Sequence, residues 1–297
     1  MPVQRFLGSA WATVHGPSDP RRLWLSVLEA KFAGLAVSPG PRATDWTALH
    51  AAAADLPVRV AAVRAGNPLA EVSPTAGFCS AKDSERRAAR LAIELAVATA
   101  HRLRCPVVVF DPGVVPVTGE VEAEDLGDPN VGWTRERVDA LQARRKVGRN
   151  AALDRACREV FALVRSFPDI EFCLTASRSL RALADPATLR DLTEDLGSLR
   201  LGYWHDAGLC ARRSQVGLED QGEWLEAFAN RCRGMTLGDG SPDGLYLPPG
   251  AGGVDYGLLA TYVPRLGPAL PAVVELDVGI APAELPGVRS CLDKYGL

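Results

Sequence analysis

The chain has 297 residues, 47% of them hydrophobic and 23% charged, and its formal net charge is −3. This composition is typical of a globular protein with a full apolar core, and it disfavours nucleic acid as a partner because a slightly acidic chain lacks attraction for a phosphate backbone. The sequence has no export signal, no run long enough to cross a bilayer, and seven cysteines without a C-x-x-C pair. We therefore expect a cytoplasmic protein with no membrane partner.

Eight short apolar or β-branched runs follow one another along the chain, separated by longer stretches with helical periodicity. In chain order they are residues 5–11, 34–38, 58–64, 106–111, 170–175, 199–204, 234–238 and 272–277. Two helix starts are marked where an aspartate precedes a proline, at Asp19 and Asp185. Runs as uniformly apolar as VVVF predict strands that are buried on both faces and pair in parallel through helical crossovers.

Eight strand-and-helix units predict a single-domain α/β protein, a (β/α)8 TIM barrel spanning residues 1–297. An open doubly wound sheet is the alternative. It predicts a glycine-rich phosphate turn after the first strand, and GSAWATVHG contains no G-x-G-x-x-G. The segment 112–133 is too long for a simple connection, so in a barrel we expect it over the face formed by the C-terminal ends of the strands.

Two acidic side chains, Asp206 and Glu275, stand where predicted strands end. An acid among apolar strand residues is costly unless paired, so both are candidate catalytic residues, with a helix cap as the alternative for Asp206. Trp204 and His15 are candidate substrate contacts, with a core position and a surface loop as their respective alternatives. His205 alternates with Asp206, so we expect it to face the helices as a structural histidine.

The glycine-rich turn PPGAGG at 248–253 has two interpretations. Its backbone amides could cradle a phosphate, as loops late in TIM barrels often do. Alternatively, the glycines only shape the turn and Asp255 caps the following helix. The second interpretation is favoured because the turn contains no lysine or arginine.

Several phrases in the sequence resemble a known superfamily. GYWHDAGL, GMTLGDG, YLPPGAGGVDYGLL and VVELD, with VRVAAVR and VVVFDPG upstream, are similar to the xylose isomerase-like TIM barrels. That superfamily includes sugar-phosphate isomerases and epimerases and endonuclease IV. The resemblance covers nearly the whole chain and implies a barrel with its site at the C-terminal face of the strands.

The resemblance also implies a set of site positions. Its members typically hold a divalent metal with a Glu ending strand 5, an Asp ending strand 6, a His in strand 7 and a Glu ending strand 8. Here Asp206 and Glu275 match, whereas the other two positions correspond to Thr175 and Thr236. Two further family histidines correspond to Asp111 and Tyr246, so these two and both threonines are assigned to substrate binding.

The altered ligand set bears on cofactors and function. Threonine hydroxyls are poor transition-metal ligands, so we expect no tight Mn²⁺ or Zn²⁺ site, and a weakly held Mg²⁺ or Mn²⁺ stays open. The partner is expected to be a small hydroxylated molecule such as a sugar, polyol or hydroxy acid, and a homo-oligomer stays open. Three functions fit: a sugar-phosphate isomerase- or epimerase-like protein, a lyase or dehydratase with a single carboxylate base, and a non-catalytic binding or partner subunit.

Overall fold

The computed structural model describes residues 3–66, 77–119, 124–197, 200–266 and 270–297. Residues 120–123 of the long predicted loop and Leu199 at the start of the sixth run lie outside them. Eight parallel strands close into a barrel in the order β1-β10-β7-β6-β5-β4-β3-β2, which confirms the predicted (β/α)8 architecture. These strands are β1 Gln4–Gly8, β2 Gly34–Val37, β3 Arg59–Arg64, β4 Val107–Phe110, β5 Glu171–Leu174, β6 Leu201–Asp206, β7 Cys232–Thr236 and β10 Pro271–Val274.

Helices follow the strands and cover the outside of the barrel. They are α1 Ser9–His15, α2 Pro20–Glu29, α3 Trp46–Ala52, α4 Asp83–Arg102, α5 Arg135–Ser166, α6 Pro186–Asp195, α7 Ala207–Gln215, α8 Gln221–Phe228, α9 Tyr256–Leu266 and α10 Leu285–Tyr295. The predicted caps form: the Asp19 carboxylate accepts from the Arg22 amide and that of Asp185 accepts from the Thr188 amide. Within the described residues, no helix is both long and apolar enough to cross a membrane.

Two local predictions differ from the structure. The first run was expected to be strand over 5–11, but β1 ends at Gly8 and Ser9 already begins α1. A short antiparallel hairpin, β8 Asp239–Ser241 and β9 Gly244–Leu247, lies between β7 and α9 and was not predicted. Its strands have only three and four residues, too few to show an alternating pattern.

The core has two main layers, as a closed barrel requires, and a small third cluster formed by Leu126, Val138, Leu141, Leu180 and Val216. The larger layer fills the space between strands and helices and contains aromatic residues such as Tyr203, Trp224 and Phe228. The smaller layer fills the barrel itself, and most of its side chains are small. Phe6 and Trp204 are the exceptions, and Trp204 fits because Gly234 lies beside it on β7, where an added Cβ would come within 2.1 Å of the indole ring.

Candidate active site at the barrel mouth

Each barrel strand places one residue at its C-terminal end that faces the barrel axis. Side chains alternate along a strand, so a residue two positions after an interior one faces the same way. On seven strands an interior core residue can be identified near the C-terminal end, and on β7 the equivalent position is Gly234, opposite Trp204. Two positions onward, the strands supply a set that we call the mouth ring: Gly8, Ser38, Arg64, Asp111, Thr175, Asp206, Thr236 and Glu275.

Glu275 is a buried acid of the mouth ring. Among the described residues, no cationic side chain is bonded to it. Its Oε1 accepts a 3.0 Å hydrogen bond from the Ser38 hydroxyl, and only 7% of the residue is exposed. Gly8 makes room for it, since a Cβ there would stand 2.4 Å from Oε1. Burial raises the pKa of Glu275 to about 7, although Arg64 and Ser38 act to lower it. Glu275 therefore exchanges a proton near neutral pH.

Arg64 is a site residue that the sequence reasoning missed. It ends β3, and one terminal nitrogen donates to Asp206 Oδ2 at 2.8 Å while the other donates to the Tyr246 hydroxyl at 3.1 Å. Its side chain is only 20% exposed. The signal was its spacing, because Arg64 lies two residues after the interior Ala62 and so had to face the barrel axis.

Asp206 caps a helix, which was the alternative interpretation of this residue, and it also lies in the mouth ring. Its Oδ1 accepts from the Leu209 amide at 3.2 Å and caps α7, while Oδ2 takes the ion pair with Arg64 and a longer 3.4 Å contact from the Tyr246 hydroxyl. The residue is fully buried. His205, next to it, faces the helices as predicted, close to the Tyr203 hydroxyl, and burial lowers its pKa to about 3.

The two threonines of the mouth ring have different surroundings. Thr236 accepts a 2.9 Å hydrogen bond from the Trp204 indole N–H. Thr175 is equally buried, yet its hydroxyl has no hydrogen-bond partner among the described residues. A buried polar atom without a partner is rare in a folded protein, so Thr175 is the ring hydroxyl that is available to a bound molecule.

A cavity of about 900 Å³ opens above the mouth ring. Ring residues in its wall are Ser38, Arg64, Asp111, Thr175 and Glu275. Residues outside the barrel strands complete the wall, among them Tyr246 of β9 and the loop residues Arg178, Gly113 and Asp125. The described part of the long segment 112–133 thus lies on the predicted face, and a cavity of this size suits a small-molecule ligand.

Tyr246 reaches the site from β9 of the short hairpin that follows β7. Its backbone has a φ of 60°, a conformation that non-glycine residues seldom adopt, and its carbonyl accepts from the Asp277 amide at 2.8 Å. This backbone directs the phenol towards Arg64 and Asp206. Of the remaining predicted contacts, Asp111 lies in the cavity wall and its carboxylate accepts from the Gly113 amide at 2.7 Å.

Two predicted contacts lie away from the large cavity. Trp204 is 3% exposed inside the barrel and borders only a small void of about 20 Å³ beneath the ring, so neither face of its indole is free to stack on a ligand. His15 ends α1, where its ring packs 4.8 Å from Trp11 and lies 2.7 Å from the Val278 carbonyl oxygen. It is absent from the cavity wall.

The glycine-rich turn at 248–253 is filled by the protein itself. The Asp239 carboxylate accepts from the amides of Gly240, Gly250 and Val254 at 2.9 to 3.0 Å. An internal carboxylate on these amides occupies the position that a phosphate would need. The turn is therefore structural, as the favoured sequence interpretation held, and the Asp255 side chain caps α9 through the Leu258 amide at 2.8 Å.

The mouth ring does not fit a divalent transition metal. The four positions that hold metal in the resembling barrels carry two neutral hydroxyls, Thr175 and Thr236, and two carboxylates, Asp206 and Glu275. One oxygen of Asp206 is already bonded to the Arg64 guanidinium, whose charge repels a second cation. In the parts of the chain that the structure covers, no three or more His, Cys, Asp or Glu side chains form a group that could hold a metal ion.

Comparisons with known proteins place the fold. No family profile matches the chain, and no curated protein matches it. Solved structures do match over nearly the full length. A D-tagatose 3-epimerase-like protein superposes with a TM-score of 0.68 at 17% identity, covering 99% of this chain and 97% of that one.

Two further structures give the same result. An L-ribulose 3-epimerase has a TM-score of 0.63 at 15% identity over 96% of this chain and 86% of that one. A 3-keto-D-glucoside 4-epimerase from E. coli has a TM-score of 0.62 at 12% identity, with coverage of 99% and 98%. At these identities the likeness establishes the fold alone: the chain has the TIM barrel that these epimerase structures also have.

Proposed function

We propose that this protein is an isomerase that moves a proton between neighbouring carbons of a small hydroxylated carbonyl compound, with Glu275 as its single base. The observation that carries the proposal is Glu275 itself. It is a buried carboxyl whose pKa is raised to about 7, held by Ser38 in the wall of the large cavity. A general base works best when its pKa lies near the working pH. The fold, shared with sugar epimerases, supports a sugar-like substrate.

The proposed reaction needs one base. The Glu275 carboxylate removes the proton from the carbon beside the carbonyl group, and the electron pair moves onto the carbonyl oxygen to form an enediolate. The carboxylic acid so formed returns the proton to the former carbonyl carbon, while the hydroxyl proton transfers between the two oxygens. Because the proton returns to the neighbouring carbon, the product is the isomeric ketone or aldehyde, and one base on one face is enough.

Epimerisation is a poorer fit. Inverting a carbon centre through one deprotonation requires an acid on each side of that carbon, and the β5 position across the ring from Glu275 carries the Thr175 hydroxyl. A hydroxyl is not ionised near neutral pH and cannot act as the second base. Thr175 fits a hydrogen-bonding role instead, because its buried hydroxyl has no partner among the residues described.

The test is solvent deuterium incorporation into candidate substrates. Wild-type protein would be incubated in D₂O with aldoses, ketoses and hydroxy acids, and the carbon-bound deuterium measured by mass spectrometry. Glu275→Gln should lower the exchange rate by about 10²–10⁴-fold. The matched control is Glu171→Gln, because Glu171 starts the same barrel's β5 at the opposite end and bonds to Arg233.

The outcomes separate the three candidate functions. Exchange with formation of an isomeric sugar supports the proposal, and exchange with loss of water identifies a dehydratase that uses the same base. Binding of a panel compound without any exchange would favour the non-catalytic alternative. Exchange that survives Glu275→Gln would show that a different residue is the base.

The pH profile gives a second test. Since the base must be ionised, kcat/KM should rise as pH increases through about 7 and then level off. A profile that is flat between pH 5.5 and 8.5 in the free enzyme would contradict the role of Glu275. The measurement needs only steady-state rates with whichever compound exchanges fastest.

A further inference from the structure

The centre of the mouth ring is organised around a side-chain cation. The Arg64 guanidinium bonds to Asp206 at 2.8 Å and to the Tyr246 hydroxyl at 3.1 Å. Arg64 also borders the same small void of about 20 Å³ as Thr236 and Glu275. Of the four ring positions matched to family metal ligands, Asp206 therefore bonds to this guanidinium, and Thr236 and Glu275 line a void that Arg64 also borders.

We infer that the Arg64 guanidinium replaces a divalent cation in this barrel and is the built-in positive charge that receives an oxygen of the bound molecule. The first half of this inference, the replacement of a cation, rests on the contacts of Arg64 and on the metal positions that the family resemblance implies. The second half rests on the proposed function, since it assigns Arg64 to the carbonyl oxygen on which negative charge develops. A guanidinium suits this role because it stays charged at all working pH values and presents several N–H donors in one plane.

The charge balance of the ring agrees with this assignment. Two buried carboxylates, Asp206 and Glu275, face the ring centre, and without a cation they would repel each other. Arg64 offsets part of that repulsion, as a metal ion would. The neutral hydroxyls of Thr175 and Thr236 agree with this assignment. The resembling barrels have a Glu and a His there as metal ligands, and such ligands are unnecessary when an arginine supplies the positive charge.

The inference is tested by Mn²⁺ binding, which requires no turnover and so is independent of the proposed reaction. Wild-type protein, dialysed against chelator, would be compared with Arg64→Ala by calorimetric titration and by melting temperature with and without Mn²⁺. Removing the guanidinium leaves two carboxylates facing a vacated space. Arg64→Ala should therefore bind Mn²⁺ at least about tenfold more tightly than wild type and gain melting temperature in its presence.

A second pair strengthens the test. Thr175→Glu with Thr236→His restores the donors typical of the resembling barrels, and this double variant would be compared with and without Arg64→Ala. The version that lacks Arg64 should again bind Mn²⁺ at least about tenfold more tightly. The matched control is Arg178→Ala, which removes a cavity arginine that pairs with Asp125 at 2.9 Å and should gain no Mn²⁺ affinity.

Every outcome decides the question. Tighter Mn²⁺ binding in the member of either pair that carries Arg64→Ala supports the inference. Equal binding in both members of each pair overturns it, because the guanidinium and the metal would then occupy different places. Absence of Mn²⁺ binding in folded variants that carry Arg64→Ala, with folding checked by circular dichroism, also overturns it, since a vacated cation position between carboxylates must accept a cation.

Discussion

Glu275 and Asp206 are both buried carboxylates of the mouth ring, yet their surroundings differ. Asp206 has a backbone amide from Leu209 on one oxygen and the Arg64 guanidinium on the other. Glu275 accepts from the Ser38 hydroxyl and is repelled by Asp206. Burial without full compensation favours the neutral form of a carboxyl. This asymmetry makes Glu275 the group that changes protonation near pH 7.

Replacing Glu275 by Gln should stabilise the protein above pH 7. The folded pKa, about 7, lies above the ordinary value of 4.5, so the neutral form is favoured in the folded state. The stability associated with that form is complete below pH 4.5 and is lost as pH rises through about 7. Gln resembles the neutral carboxyl, and the gain at pH 8 should approach about 3 kcal/mol.

Denaturant unfolding at pH 4.5 and pH 8 measures this difference directly. The variant and the wild type should have similar stability at pH 4.5 and diverge as pH increases. Glu171→Gln, which removes the bond to Arg233 at the other end of the barrel, should show no gain at pH 8. A lower stability of Glu275→Gln at pH 8 would mean that a cation holds Glu275 more strongly than burial disfavours it.

The two ring threonines should respond oppositely to replacement by valine. Thr175→Val removes a hydroxyl that has no partner among the described residues, so the free energy of unfolding should stay equal or rise by about 1 kcal/mol. Thr236→Val leaves the Trp204 indole N–H without its acceptor inside the barrel. This change should lower the free energy of unfolding by about 1–3 kcal/mol. Urea unfolding of the two variants gives both values, and equal losses would contradict the different surroundings of the two hydroxyls.

Asp206 and Glu275 could be found from the sequence because an acid at the end of an apolar strand stands out locally. Arg64 was missed because its partner Asp206 lies 142 residues away and becomes a neighbour only when the barrel closes, so its spacing from Ala62 was the one local signal. The substrate-contact interpretations of His15 and Trp204 did not allow for tertiary packing. The His15 ring packs against Trp11, and Trp204 lies in the barrel interior beside Gly234, which was its alternative interpretation.

At the level of elements, the strand predictions succeeded wherever a run was buried on both sides. Such runs are continuous in apolar residues, so the barrel strands could be located without knowing their neighbours. The β8–β9 hairpin was not predicted, because it lies outside the barrel and its strands are too short to show an alternating pattern of apolar residues. Its one local signal was the turn sequence SPDG at 241–244, which favours a reversal of the chain.

Pairing of β6 with β7 depends on a glycine. Gly234 lies opposite Trp204 in the register, and a Cβ there would stand 2.1 Å from the indole ring. Gly234→Ala should therefore lower the free energy of unfolding by about 1–3 kcal/mol through overpacking. The control is Gly287→Ala in α10, where a Cβ meets no atom of the described residues within 4 Å. Because alanine favours a helix more than glycine does, this change should raise the free energy of unfolding by about 0.5–1 kcal/mol.

Denaturation curves for the two glycine variants test whether the tryptophan inside the barrel is tightly packed. An equal effect at both positions would show that the barrel interior relaxes to admit a methyl group. A loss at Gly234 that disappears when Trp204→Phe is introduced as well would identify the indole as the clashing group, because neighbouring substitutions are then not additive.

At the scale of the whole molecule, closure joins the two ends of the chain. β1 pairs in parallel with β10 over four residue pairs, and β10 pairs on its other side with β7. Arg5 of β1 adds an ion pair to Asp293 of α10 at 2.7 Å. The mouth ring depends on this closure, because Glu275 follows β10 directly and its neighbour Gly8 ends β1. Site and fold therefore form together.

A chain that stops at residue 266 should consequently fail to fold. It loses β10, which leaves the unpaired backbone groups of β1 and β7 at two open edges and exposes the interior side chains between them. The complete chain should unfold in one calorimetric transition whose van't Hoff and calorimetric enthalpies agree, since each part of a closed barrel is held by both neighbours. Two separate transitions, or a cooperative transition in the shortened chain, would show instead that part of the barrel is an independent folding unit.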